Sequence, residues 1–149
     1  MEKVEINKTM HLSEHFKLGE VTKSKHIEIN NIPSHVAIEN LKRVCGWLEV
    51  LRARAKTPIV INSGYRSPEL NKKVGGSPTS NHLTGCAVDI KVAGIEQAMR
   101  YAVILMDYAD ETKQDYDELL IERNRSGGYW LHFAVRPKDN RRKTMFLQK

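Results

Sequence analysis

With 149 residues, 24 Lys and Arg against 18 Asp and Glu, and 40% hydrophobic residues, the chain reads as one globular domain over 1–149, neither disordered nor multi-domain. At this length roughly two-thirds of the unfolded surface can be buried, so folding requires no disulfide framework or structural metal, and a metal here is expected to be catalytic. No apolar run approaches the ~20 residues of a membrane span, which excludes a transmembrane protein.

Residues 1–8 show no apolar stretch and no small-residue cleavage site of a signal peptide, so the expected location is cytoplasmic. Cys45 and Cys86 stand far apart without a CxxC or CxxH neighbour and read as reduced, semi-buried thiols. The net charge of +6 and pI near 9.4 favour polyanionic surroundings. The basic run at 136–143 has no interleaved aromatic residues to stack on bases, so it is expected to be a solvated tail and not a nucleic-acid site.

In chain order, residues 12–19 read as a short helix or turn, with Ser13 as N-cap. After the break at 31–34, Leu41, Val44, Cys45, Leu48 and Leu51 recur at three- and four-residue intervals, the apolar face of a long amphipathic helix. The β-branched run 58–62 predicts a strand entering a turn at Ser63 and Gly64, and 68–73 a small helix stopped by Gly75 and Gly76. Residues 86–92 alternate, with Val88, Ile90 and Val92 on one face and Ala87, Asp89 and Lys91 on the other, the mark of a strand. A helix over 95–108 follows, then strands over 119–122 and 129–135, joined by a hairpin at 125–128 that carries a Gly pair. The predicted fold is α+β: a small, mostly antiparallel sheet with helices packed on it, its core spanning about 10–136 and followed by the short basic tail.

Three residues of metal-binding type stand out: His82 in the loop 80–85, Asp89 seven positions on, and His132 in the last predicted strand. Asp89 shares its strand face with Ala87, and His132 shares its face with Trp130 and Ala134, so the small alanines leave room for an ion and a substrate. A buried carboxylate beside two imidazoles calls for a compensating cation. Two His and one carboxylate on a tetrahedral ion leave its fourth position open for a reactive water. On the residues alone, two satisfied polar histidines at sheet edges are favoured over a metal site, and the spacing fits poorly with the facial triad of a non-haem iron oxygenase, whose His and acid lie closer together.

The runs SGYRSPELN (63–71), VGGS (74–77), SNHLTGCAVDI (80–90) and WLH (130–132) resemble the pattern of zinc D-alanyl-D-alanine carboxypeptidases and related phage endolysins, most of all the small, stand-alone members. The resemblance extends over residues 10–136 and implies a fold of the kind shared by these peptidases and the hedgehog signalling domains. It implies Zn²⁺ held by His82, Asp89 and His132, Arg66 facing the substrate and its oxyanion, and Ser80 hydrogen-bonding substrate. Arg66 as a structural ion pair and Ser80 as a loop-capping hydroxyl are the alternatives.

The sequence departs from that pattern at one position. Many relatives carry a carboxylate base three residues before the last His, where this chain has Tyr129. Other branches place a Glu on the preceding strand, which makes Glu122 the expected base and Glu118, on the same strand face, the second candidate. The implied activity is hydrolysis of an amide bond involving a D-amino acid in a peptidoglycan stem peptide or cross-bridge. The competing expectation is a metal-binding module without turnover, of the hedgehog type. The partner expected is the peptidoglycan peptide, with no nucleic acid and no membrane, and the chain is expected to be a monomer of phage or prophage origin that acts on the bacterial wall.

Overall fold

In the computed structural model, which describes residues 7–149, the Ser34 hydroxyl accepts the Ala37 N–H at 3.1 Å and opens α1 (His35–Ala55). An N-cap of this kind satisfies one of the donors that a helix start leaves unpaired. The predicted stripe Leu41, Val44, Cys45, Leu48 and Leu51 is fully buried along this helix. Ser67 caps α2 (Pro68–Lys73) in the same way, with Pro68 at the first helical position, where its missing N–H is harmless. The third helix, α3 (Ile95–Thr112), runs one turn beyond the predicted end, because its last turn is polar outside and only Ala109 is buried. Lys113 closes it in the left-handed conformation at φ 55°.

Strands β1 (Ile61–Ser63), β2 (Ala87–Lys91), β3 (Glu118–Arg123), β4 (Tyr129–Ala134) and β5 (Lys143–Gln148) form one sheet in the order β1-β2-β4-β3-β5. All pairs are antiparallel except β3 with β5. Strand alternation divides the sheet into two faces. Val88, Ile90, Leu119, Ile121, Leu131 and Phe133 point to the helical side and join the core beneath α1 and α3. There Trp47 meets Tyr108 edge-on at 4.9 Å and tilts against Phe133 at 5.5 Å, geometries that suit the ring quadrupoles.

On the other face the register makes three cross-strand rows: Ala87, Ala134 and Glu118; Asp89, His132 and Leu120; Lys91, Trp130 and Glu122. This face carries the predicted ligands Asp89 and His132.

Three sequence expectations are corrected. Ser13 is not an N-cap; its hydroxyl donates to Glu49 Oε2 at 2.5 Å, while the short 3₁₀ turn lies downstream at Leu18–Val21. Residues 58–60 lie outside the first strand: Pro58 has no N–H to give, Val60 contributes only its carbonyl, which accepts the Lys91 N–H at 2.9 Å, and the ladder register begins with Ile61 opposite Ile90. The basic run is not simply solvated. Arg141 and Arg142 are tied to Asp117, Asp110 and Asp115, and the chain then enters β5 beside β3. Among the described residues, no helix is long and apolar enough to cross a membrane.

Candidate metal centre

His82 sits on a single 3₁₀ turn, Asn81–Thr84, closed by Gly85. Gly85 has φ 76°, and a Cβ there would lie 2.5 Å from the Ala37 carbonyl oxygen, so only glycine brings this turn down onto α1. Gly64 is as constrained: a Cβ would come within 2.3 Å of the Val21 carbonyl oxygen. The tight approach presents the Gly64 carbonyl 2.7 Å from His82 Nδ1. A carbonyl only accepts, so Nδ1 carries the hydrogen and Nε2 keeps its lone pair for the site.

Asp89 and His132 are direct partners across β2 and β4. Asp89 Oδ1 lies 3.3 Å from His82 Nε2 and 3.0 Å from His132 Nδ1, and the two imidazoles meet edge-on with centroids 5.2 Å apart. One ligand atom from each of His82, Asp89 and His132 lies within 4.8 Å of the others, all three being buried. Ligands bonded at about 2.0 to 2.2 Å to a tetrahedral zinc stand roughly 3.3 to 3.6 Å apart; two imidazole nitrogens and a carboxylate oxygen suit that ion in type, and the two separations from Asp89 Oδ1, 3.3 and 3.0 Å, lie close to that spacing.

Charge pairing dominates the site's electrostatics. Burial alone would raise the Asp89 carboxyl, but the adjacent imidazoles outweigh it and hold the group well below the usual carboxylate range. Burial would lower the His132 imidazole, yet hydrogen bonds to Asp89 and Glu118 push it up to about 9. Glu118 is pushed down to about 2, where the bonds from His132 and Asn81 overcome desolvation.

The remaining predicted residues fall around this trio. Arg66 donates from Nη2 to Asp89 Oδ2 at 3.3 Å, from Nε to Ser63 Oγ at 3.1 Å and from Nη1 to Asn71 Oδ1 at 3.3 Å. Its own N–H bonds the His82 carbonyl at 3.0 Å, which ties the two motifs together. Ser80 Oγ accepts the His82 N–H at 3.1 Å, so it caps the turn while also lining the cleft over the site. Glu122 is 5% exposed, on the His132 face and one row away, with Lys149 Nζ 3.5 Å from its Oε1. Glu118 flanks the same row on the other side, its Oε1 2.9 Å from His132 Nε2. Tyr129 has the opposite parity and packs against the core, with Arg123 over its ring at 5.9 Å. In this register position 129 does not address the site.

Gly64, Asn71 and Asn81 lie inside the runs 63–71 and 80–90, and Asp117 outside them, but their roles emerge only from tertiary contacts. Asn81 donates to Asp117 Oδ2 at 2.8 Å and to Glu118 Oε1 at 2.7 Å, and it accepts from Arg136 Nε at 2.9 Å. Asn71 fixes Arg66, and the Gly64 carbonyl fixes His82. Asn81 immediately precedes the first predicted ligand; the partners of Asn71 and Asp117 are set by tertiary contacts.

Two buried imidazoles and a carboxylate around one point, at the floor of a cleft of about 710 Å³, form a candidate metal centre with room for a substrate. A family model agrees: residues 14–114 match Peptidase M15, and the chain belongs to this family of zinc D-Ala-D-Ala carboxypeptidase-like metallopeptidases. The matched segment contains Arg66, Ser80, His82 and Asp89, while Glu118, Glu122 and His132 lie beyond it. A comparison with curated proteins finds no match.

Proposed function

We propose that this chain is a zinc-dependent peptidoglycan peptidase that hydrolyses an amide bond involving a D-amino acid in the stem peptide or cross-bridge. The observation that carries the reading is the convergence of His82 Nε2, Asp89 Oδ1 and His132 Nδ1 at the floor of the cleft. These three atoms would hold the zinc, which when bound acidifies a water from a pKa of about 16 towards 7 and polarises the scissile carbonyl.

The chain's own residues supply the rest. Glu122 lies on the same sheet face and is buried, so it accepts the proton of the attacking water and returns it to the leaving amine. Arg66 lines the cleft beside Asp89 and stabilises the negative charge that develops on the carbonyl oxygen, a contribution typically of about 3 to 4 kcal/mol per well-placed donor. Ser80, at the rim, offers its hydroxyl to the substrate backbone. Arg66, Arg136, Arg141, Lys143 and Lys149 outnumber Asp89, Glu118 and Glu122 around the cleft, a balance that favours peptides with free carboxylates, as wall peptides have. The carry-over of substrate class rests on the motif resemblance at 63–90 and 130–132.

The test is digestion of purified wall fragments and muropeptides by the zinc-loaded protein, with and without chelator, read by mass spectrometry. New amines that disappear on chelation support the reading and identify the bond. A zinc-loaded protein that cleaves none of these substrates sinks it and leaves the metal-binding module without turnover.

A further inference from the structure

Glu118 carries a carboxylate onto the face of the proposed centre, and its nearest contacts are with protein side chains, His132 first among them. Its Oε1 is 2.9 Å from His132 Nε2 and also accepts from Asn81 Nδ2 at 2.7 Å, while Oε2 lies 3.5 Å from Arg141 Nη2. Asn81 is fully engaged: both amide hydrogens are donated, to Asp117 and Glu118, and its oxygen accepts from Arg136. Asp117, entirely buried, is clamped by Arg141 through Nε at 3.0 Å and Nη2 at 2.8 Å. One side chain, Asn81, therefore joins the turn that carries His82 to the carboxylate that touches His132.

The direction of the His132 ring follows. His132 Nε2 faces Glu118 at 2.9 Å while Nδ1 faces Asp89 Oδ1 at 3.0 Å on the side of His82; with a cation held at Nδ1, the ring hydrogen sits on Nε2 and is donated to Glu118. We propose that Glu118 is a positioning residue for the metal ligand His132, fixing its Nε2–H tautomer and ring orientation, and is not the proton acceptor of the reaction. This rests on the zinc peptidase reading and assigns Glu118 its place within it. Carboxylates that hold a ligating imidazole in this way typically change metal affinity by about 10- to 100-fold when removed.

The experiment compares full-length wild type, Glu118→Ala and Glu118→Gln by zinc affinity from chelator competition, with circular dichroism to confirm folding. In the zinc-loaded proteins, NMR observes the His132 Nε2–H proton. Wild type is expected to bind about one zinc and show a protected Nε2–H. Glu118→Ala is expected to bind roughly 10- to 100-fold more weakly and lose that protection, with Glu118→Gln between the two because its carbonyl oxygen still accepts. Unchanged affinity and an unchanged Nε2–H in both variants overturn the inference and leave the zinc reading standing, whereas a wild type that binds no zinc overturns that reading itself. If the alanine variant does not fold, turnover of fully loaded Glu118→Gln decides: a positioning residue keeps kcat within about tenfold, whereas loss of a proton acceptor lowers it by about 10² to 10⁴.

Discussion

Arg66 Nη2 lies 3.3 Å from Asp89 Oδ2, the carboxylate oxygen turned away from both imidazoles. The guanidinium therefore holds the carboxylate in the orientation that points Oδ1 at His82 and His132, while its own edge lines the cleft. Two duties follow, and they separate experimentally. Arg66→Ala is expected to weaken zinc binding by about tenfold through Asp89. It should also lower kcat of the zinc-saturated enzyme by about 10² to 10³ through the oxyanion. If turnover at saturating zinc equals that of wild type, Arg66 only holds Asp89.

Metal removal should be visible without any substrate. A ligand present at 100 times its dissociation constant stabilises a fold by about 2.7 kcal/mol, and for a chain of this size each kcal/mol shifts Tm by roughly 2 to 4 °C. Adding zinc to chelator-stripped protein should accordingly raise Tm by roughly 5 to 10 °C, measured by calorimetry. His82→Ala should remove the shift. A stripped protein whose Tm does not respond to zinc contradicts the centre.

The outlines of this architecture were legible because local pattern and tertiary environment agree. The stripe from Leu41 to Leu51 is helical and buried, and the alternation around Asp89 correctly put Val88 and Ile90 in the core. His82, Asp89 and His132 stood out by residue type and became a ligand set through the family resemblance; the β2 to β4 register pairs Asp89 with His132, and the turn 81–84 sets His82 beside them. What the sequence concealed is what long-range charge decides. Residues 143–148 alternate weakly and are mostly exposed, so no hydrophobic period marks β5. The strand is anchored instead by Arg141 and Arg142 meeting acids 24 to 32 residues away. Glu118 and Glu122 sit four apart on one strand and look alike in sequence; only the contacts with His132, Asn81 and Lys149 set them apart.

Glu122→Gln keeps size and hydrogen bonding but removes the carboxylate proposed as the proton acceptor. It should leave zinc affinity intact while lowering kcat by about 10² to 10⁴. Tyr129→Phe should alter turnover far less, since Tyr129 points to the core side of β4. Steady-state kinetics on a cleaved muropeptide, with zinc content measured alongside, checks both. Full turnover in Glu122→Gln would show that the proton goes elsewhere.

The final prediction concerns acid stability. Asp117 is wholly buried, and although burial pushes its carboxyl up, the bonds from Arg141 and Asn81 and the nearby Arg136 outweigh it and hold the group below its ordinary 3.8. A group depressed in the folded state binds fewer protons there than in the unfolded chain, so its stabilisation is complete above the unfolded value. The stabilisation is then lost as pH falls below about 4 towards the depressed folded value. Asp117→Asn leaves Arg141 and Arg136 without their carboxylate, and because both guanidiniums reach solvent it should destabilise by roughly 1 to 3 kcal/mol at pH 7, the range for a lost buried charged acceptor. Urea denaturation of both proteins from pH 7 to pH 3 should show the gap constant down to about pH 5 and narrowing below pH 4. A gap that stays the same across this range would mean that packing of the side chain, and not its charge, is what Asp117 contributes.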